Sequence, residues 1–294
     1  MQAMVLERNA PVTARPLVLS DIERPQPQTQ QILVRVTACG VCRTDLHVIE
    51  AELPPQKLPV VPGHQIVGVV ERLGTGCKRF APGDRVGIAW LRRTCGGCVY
   101  CSTGYENLCE RSRYTGYHED GGFAEYAVVD EDFAYAIPEP FSDVDAAPLL
   151  CAGIIGYRAL SASEVRPGER LALYGFGSSA HIVMQIALHR GCEVFVATRG
   201  ESHRRLAREM GAAWVGEATE PLPAPADGAI VFAPAGEIVP AALRGVRKAG
   251  VVALAGIYMT PIPELPYEPC LFHEKKLRSV EANTRADGEG LLAE

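Results

Sequence analysis

Four cysteines, Cys95, Cys98, Cys101 and Cys109, fall at C-x-x-C-x-x-C-x7-C. Thiolates this close, with Gly96, Gly97 and Gly104 easing the turns between them, can close tetrahedrally around one ion. Zinc suits such a set because it has no redox demand and favours four-coordinate sulfur sites. An iron–sulfur cluster and a group of unrelated free thiols are the alternatives. Four protein ligands leave no open position, so a zinc held here would tie a loop together and do no chemistry.

Two other stretches carry reactive side chains. Cys42 and His47 sit in Cys39-Gly40-Val41-Cys42-Arg43-Thr44-Asp45-Leu46-His47, followed by Pro62-Gly63-His64-Gln65 and, much later, Leu149-Leu150-Cys151-Ala152-Gly153. Spacing alone does not say whether Cys42, His64 and Cys151 meet. A lone buried cysteine is usually a small hydrophobe, and a lone histidine is usually structural. The string Tyr174-Gly175-Phe176-Gly177-Ser178-Ser179-Ala180-His181 is a G-x-G-x-x-A variant of the dinucleotide fingerprint. Gly175 permits the tight turn, Gly177 lets the backbone approach a pyrophosphate, and Ala180 keeps helix and strand close. Phe176, Ser178 and Ser179 complete the turn, and the helix N-terminus offers free N–H groups. About twenty residues on, where an NAD enzyme places an acid for the ribose 2′-hydroxyl, stand Thr198 and Arg199, with Arg204 and Arg205 nearby. No carboxylate and an added guanidinium favour a 2′-phosphate, hence NADP(H) over NAD(H), although Arg199 could instead stack on adenine.

The elements that must position these groups change character along the chain. Residues 1 to about 137 read as short β segments such as Gln31 to Thr37 and Ile66 to Glu71, punctuated by Pro82-Gly83-Asp84 and Glu119-Asp120-Gly121-Gly122. From about residue 170 strand and helix alternate. Arg170 to Tyr174, Glu193 to Thr198, Gly228 to Phe232 and Gly250 to Ile257 read as strands, and Ser178 to Arg190, Ser202 to Met210 and Ile238 to Lys248 as helices. That alternation is the mark of a parallel sheet covered on both faces. The chain has 294 residues with 47% apolar residues, 29 glycines and 22 prolines, which fits two domains, 1–150 and 151–294. A formal charge of −6 argues against nucleic acid or an anionic membrane as the main partner. No run approaches membrane-spanning length. The first eight residues do not read as a secretory signal, and ten cysteines in such a chain point to metal ligation in the reducing cytoplasm.

Taken together, the Cys39–His47 string, the Gly63-His64 pair, the four-cysteine stretch and Leu-Leu-Cys-Ala-Gly around Cys151 resemble the zinc-dependent alcohol dehydrogenase family of the medium-chain dehydrogenase/reductase superfamily. The resemblance covers almost the whole chain. It implies an α/β protein with an N-terminal GroES-like, β-rich catalytic domain and a Rossmann doubly wound parallel-sheet domain. It implies two zincs per chain, one structural at Cys95, Cys98, Cys101 and Cys109 and one catalytic at Cys42, His64 and Cys151. Two thiolates and an imidazole leave the fourth position for water or the substrate oxygen. Asp45 resembles the carboxylate that holds His64 in the right tautomer, Thr44 and His47 match a proton relay, and Arg43 matches a contact to the cofactor pyrophosphate. Trp90 and Leu91 correspond to pocket-wall positions.

The implied activity is reversible hydride transfer between a primary alcohol or aldehyde and NAD(P), with zinc as Lewis acid. A polyol or secondary-alcohol oxidoreductase, or a non-catalytic zinc- and nucleotide-binding relative, are the other readings. The resemblance also implies a small-molecule substrate and a homo-oligomer, dimer or tetramer. Three departures stand out. Gln65 replaces the usual Glu after the ligand histidine, and Ile155 replaces a Thr that contacts nicotinamide. The third is the tail that would return to the catalytic domain, which is expected to be missing, leaving a bare strand edge and uncovered apolar surface.

Overall fold

The computed structural model describes residues 1–294 and divides into two units, Met1–Cys151 with Ala282–Ala293, and Ala152–Glu281 with Glu294. The first unit is built on a five-stranded antiparallel sheet in the order Tyr126–Asp130, Gln31–Gly40, Gln65–Leu73, Arg85–Ile88 and Ala134–Ala136. Ile32, Val34, Ile66, Val70, Val86, Ile88 and Val129 are β-branched residues that fit a pleated surface and form its core. Pairing runs from Ile32↔Leu73 to Gly40↔Gln65. The two long strands therefore end side by side, one feeding Cys42 and the other starting just after His64.

The second unit is a six-stranded parallel sheet in the order Trp214–Gly216, Glu193–Ala197, Arg170–Tyr174, Ala226–Val231, Val246–Leu254 and Lys276–Ser279. Strands buried on both faces read as continuous apolar runs, as Leu171 to Tyr174 and Ala229 to Val231 do. The chain order reverses beside Arg170–Tyr174, the switch point at which such sheets bind ligands. No single helix in either unit is long and apolar enough to cross a membrane.

Three expectations need correction. The helix read as Ile238 to Lys248 is Val239–Gly245, and the strand begins at Val246 rather than Gly250. A left-handed Ala249 (φ 58) interrupts that strand, which hides its β pattern in the sequence. Residues 282–293, assigned by sequence to the second domain, lie with the first unit. The helix Arg285–Ala293 is held there by an Arg285–Glu106 ion pair and a buried Leu291.

Candidate metal centres and nucleotide turn

Within the first unit, Cys42 caps the N-terminus of the helix Arg43–Ile49. Its backbone N–H donates to Asp45 Oδ2 at 2.8 Å, and the other oxygen of that carboxylate accepts from His64 Nδ1 at 2.9 Å. One buried carboxylate thus fixes the turn that carries Cys42 and the ring of His64. A carboxylate can only accept, so the His64 proton is held on Nδ1. Gly63 sits at φ +97, and a Cβ there would lie 2.6 Å from the Phe123 ring and 2.9 Å from its backbone nitrogen. Glycine is what allows the turn that aims His64 inward.

Cys42 Sγ and Cys151 Sγ lie 3.6 Å apart, and the donor atoms of Cys42, His64 and Cys151 all fall within 4.8 Å of one another. The buried His64 Nε2 has no hydrogen-bond partner, although buried polar atoms normally find one. Tetrahedral zinc with two thiolates would space the sulfurs by about 3.8 Å. Donor chemistry, spacing and the orphaned nitrogen all fit a divalent ion. A hydrogen bond from Cys151, outweighing burial and helped by the facing His64, lowers the Cys42 thiol to about 3. That hydrogen bond and burial push Cys151 well up. Burial opposes a charged His64, yet Asp45 and the Cys42 sulfur together raise it to about 9. The group is therefore prepared as a thiolate and an imidazolium, and a binding ion would displace protons from it.

Around this set, Thr44 N–H points at Cys42 Sγ (3.4 Å), with the Thr44 hydroxyl 3.7 Å from the same sulfur. His47 is buried, and its Nδ1 contacts the carboxylate of Glu52, which is 43% exposed. Glu52 escaped the sequence reading. Its only signal is an acid five residues past His47, just beyond the helix end. Arg43 lies exposed at the first position of the same helix. Gln65 is buried and hydrogen-bonds the Cys151 sulfur, so a neutral amide contacts the ligand set where a carboxylate would add charge. Cys39 stays apart from the group, its thiol pushed up to about 12 by burial. Trp90 stands edge-on to the His64 ring at 5.1 Å and stacks on Tyr114 at 5.0 Å, whereas Leu91 is a fully buried core residue.

The four-cysteine stretch also closes on itself. Cys98 and Cys101 sulfurs lie 3.6 Å apart, Cys95 and Cys101 3.9 Å, and Cys95 N–H donates to Cys109 Sγ at 3.4 Å. All four sulfurs fall within 4.8 Å of one another, so this set too could hold an ion. The Gly97 N–H and the Arg111 side chain draw the Cys95 thiol down to about 6.

In the second unit, Arg170–Tyr174 runs into Gly175 at φ +93, where a Cβ would come within 2.9 Å of the Ala233 nitrogen. Gly177 is the N-cap of Ser178–His189 and has no side-chain cap, which leaves the N–H groups of Ser178 and Ser179 to a ligand. Nothing lies within 4 Å of a Cβ built at Gly177. Phe176 and Ala180 are buried beneath the turn. Thr198 is buried at the end of the neighbouring strand and Arg199 is exposed beyond it. The other arginines are engaged. Arg204 bonds the Thr198 carbonyl (3.1 Å) and Glu217 (2.7 Å), and Arg205 faces Glu209 at 3.7 Å.

Comparison with known proteins agrees with both halves of this description. The family described as alcohol dehydrogenase GroES-like domain matches residues 28–139, and that described as zinc-binding dehydrogenase matches residues 180–294. A Mycobacterium tuberculosis protein named "Probable alcohol dehydrogenase AdhA" is 50% identical over 297 residues, covering 99% of this chain and 86% of that one. The structure superposes on a cinnamyl alcohol dehydrogenase from Sorghum bicolor with a TM-score of 0.87 at 30% identity, covering 99% and 86% of the two chains. A protein from Sinorhizobium meliloti 1021, described as a zinc-binding dehydrogenase and solved with NADP, gives 0.87 at 28% identity, covering 99% and 88%. Two matched domains, a relative of nearly equal extent and a shared fold leave one assignment: this chain is an oxidoreductase of the zinc-dependent alcohol dehydrogenase family, in the medium-chain dehydrogenase/reductase superfamily.

Proposed function

We propose that the chain interconverts primary alcohols and aldehydes using NADP(H), with one zinc at Cys42, His64 and Cys151 and a second at Cys95, Cys98, Cys101 and Cys109. The observation that carries this reading is the convergence of two sulfurs 3.6 Å apart with a buried, unpartnered imidazole nitrogen. Bound there, zinc would supply the Lewis acidity that polarises a carbonyl and acidifies an alcohol. The nicotinamide would supply the hydride chemistry. The residues do the rest. Asp45 fixes the His64 tautomer. Thr44, whose hydroxyl lies 3.7 Å from the ligand sulfur, would take the substrate's hydroxyl proton while passing its own onward. His47, backed by Glu52, gives that proton an imidazole and then a solvent-facing carboxylate on which to leave. The aromatic wall of Trp90 and Tyr114 beside His64 supports an apolar alcohol, in keeping with the cinnamyl alcohol dehydrogenase likeness.

NADP is favoured because no acid stands at the end of Glu193–Ala197 and Arg199 is exposed there, and because the Sinorhizobium relative was solved with NADP. The backbone groups at Gly175 and Gly177 would hold the pyrophosphate. The test combines metal analysis with initial rates on a panel of primary alcohols using NADP⁺ and NAD⁺. Cys42→Ala should lose one of two zincs and the activity. Equal metal content in the variant and the parent would overturn the ligand assignment, and faster turnover with NAD⁺ would overturn the cofactor assignment.

A further inference from the structure

The nine-residue helix Arg285–Ala293 is too short to stand in water on its own. It is capped by Thr284 and Asp287, whose side chains and backbone N–H groups exchange hydrogen bonds at 2.7–3.2 Å. Beside the buried Leu291 and an Arg79–Glu289 ion pair at 3.8 Å, the hydrogen bonds that tie its first residue to the first unit all go to one acid. The Arg285 backbone N–H donates to Glu106 at 2.7 Å, and Nε and Nη2 of its guanidinium grip the same carboxylate at 3.0 and 2.7 Å. The guanidinium carbon lies 4.6 Å above the Phe133 ring. The Glu106 side chain is only 10% exposed, so this is a fork-on-fork pair with its acidic half largely dry.

Glu106 belongs to the four-cysteine lobe. It opens the 3-10 turn Glu106–Leu108 between the third and fourth cysteines, and its carbonyl accepts the Cys109 N–H at 3.1 Å. The lobe has little else to hold its shape. Its one helix, Val99–Ser102, has four residues, and Val99, Tyr100, Tyr105 and Leu108 are all exposed. Four sulfurs within 4.8 Å would repel as thiolates unless a cation sits among them.

We infer that the ion held by this lobe governs the docking of the helix 285–293. With the sulfurs gathered around the ion, Cys109 fixes the turn that presents Glu106, and Glu106 holds Arg285. Without the ion the turn loosens and the helix loses its anchor on Glu106. The inference rests on the reading that Cys95, Cys98, Cys101 and Cys109 bind zinc. Coupling of this kind is reciprocal, so a docked helix must in turn tighten the lobe's equilibrium hold on zinc.

The test uses the full zinc-loaded chain and hydrogen–deuterium exchange of peptides spanning 282–293. Cys98→Ala should lose one zinc and raise exchange in that segment at least about tenfold, while Cys42→Ala leaves it protected. Exchange in the strand Arg170–Tyr174 serves as the folding control. Arg285→Gln, read by equilibrium competition with a chelator, should weaken the lobe's zinc affinity about fivefold or more relative to the parent. Unchanged protection in a Cys98→Ala protein that has lost its zinc would overturn the inference, as would parent-like zinc affinity in Arg285→Gln. If Cys98→Ala unfolds throughout, the Arg285→Gln zinc affinity decides. A Cys98→Ala protein that keeps both zincs would instead overturn the metal reading itself.

Discussion

Asp45 does two jobs with one carboxylate, holding the Cys42 backbone and the His64 ring. Asp45→Asn keeps the shape but can accept from only one of the two donors, its NH2 group facing the other N–H in a buried site. Metal affinity, read by competition with a chromogenic chelator, should fall by about 10- to 100-fold. The residue scale also shows why the two cysteine sets differ in legibility. Cys95 to Cys109 are neighbours in sequence, so their spacing already describes a closed site. Cys42, His64 and Cys151 are brought together only by strand ends and a distant turn, so the resemblance, and not the spacing, pointed to them. Glu52 was invisible because an acid past a helix end is ordinary in solvent. Its meaning comes from the buried ring it contacts.

At the scale of elements, the first sheet explains how the ligands are aimed. Gly63 supplies a left-handed turn that a side chain would block against Phe123. Gly63→Ala should destabilise the fold by about 1–3 kcal/mol and displace His64, lowering both the thermal midpoint and zinc content. Asp130 ties the edge strand Tyr126–Asp130 to Arg93 at 2.6 and 2.8 Å and to Gln31 at 2.9 Å. Burial would raise this carboxyl, but Arg93 and Gln31 hold it below its ordinary 3.8. Its contribution is therefore present above that ordinary value and fades as acid drives pH down through the lower, folded one. Asp130→Asn should cost about 1 kcal/mol near neutrality, moderated by the exposure of Arg93, and should blunt the acid limb of a stability-versus-pH curve. Strand–helix alternation was legible from residue 170 because each element has its own period. The three-residue strand Trp214–Gly216 was not, being too short to show any period.

For the whole molecule, composition and change of texture point to domains 1–150 and 151–294, while the structure's own division places Met1–Cys151 with Ala282–Ala293 in one unit. What they could not show was the return of residues 282–293, since that segment is short and its anchor, Glu106, lies far away in sequence. The same division allots the chain's two tryptophans one to each unit, Trp90 in the first and Trp214 in the second. Each unit thus carries its own fluorophore, and Trp214→Phe leaves an emission that belongs to the first unit alone. Because Trp90 meets His64 edge-on at 5.1 Å, adding zinc back to stripped Trp214→Phe protein should alter that light, whereas a Trp90→Phe protein should stay dark to the titration. An identical response from both proteins would show that the signal does not originate beside the imidazole.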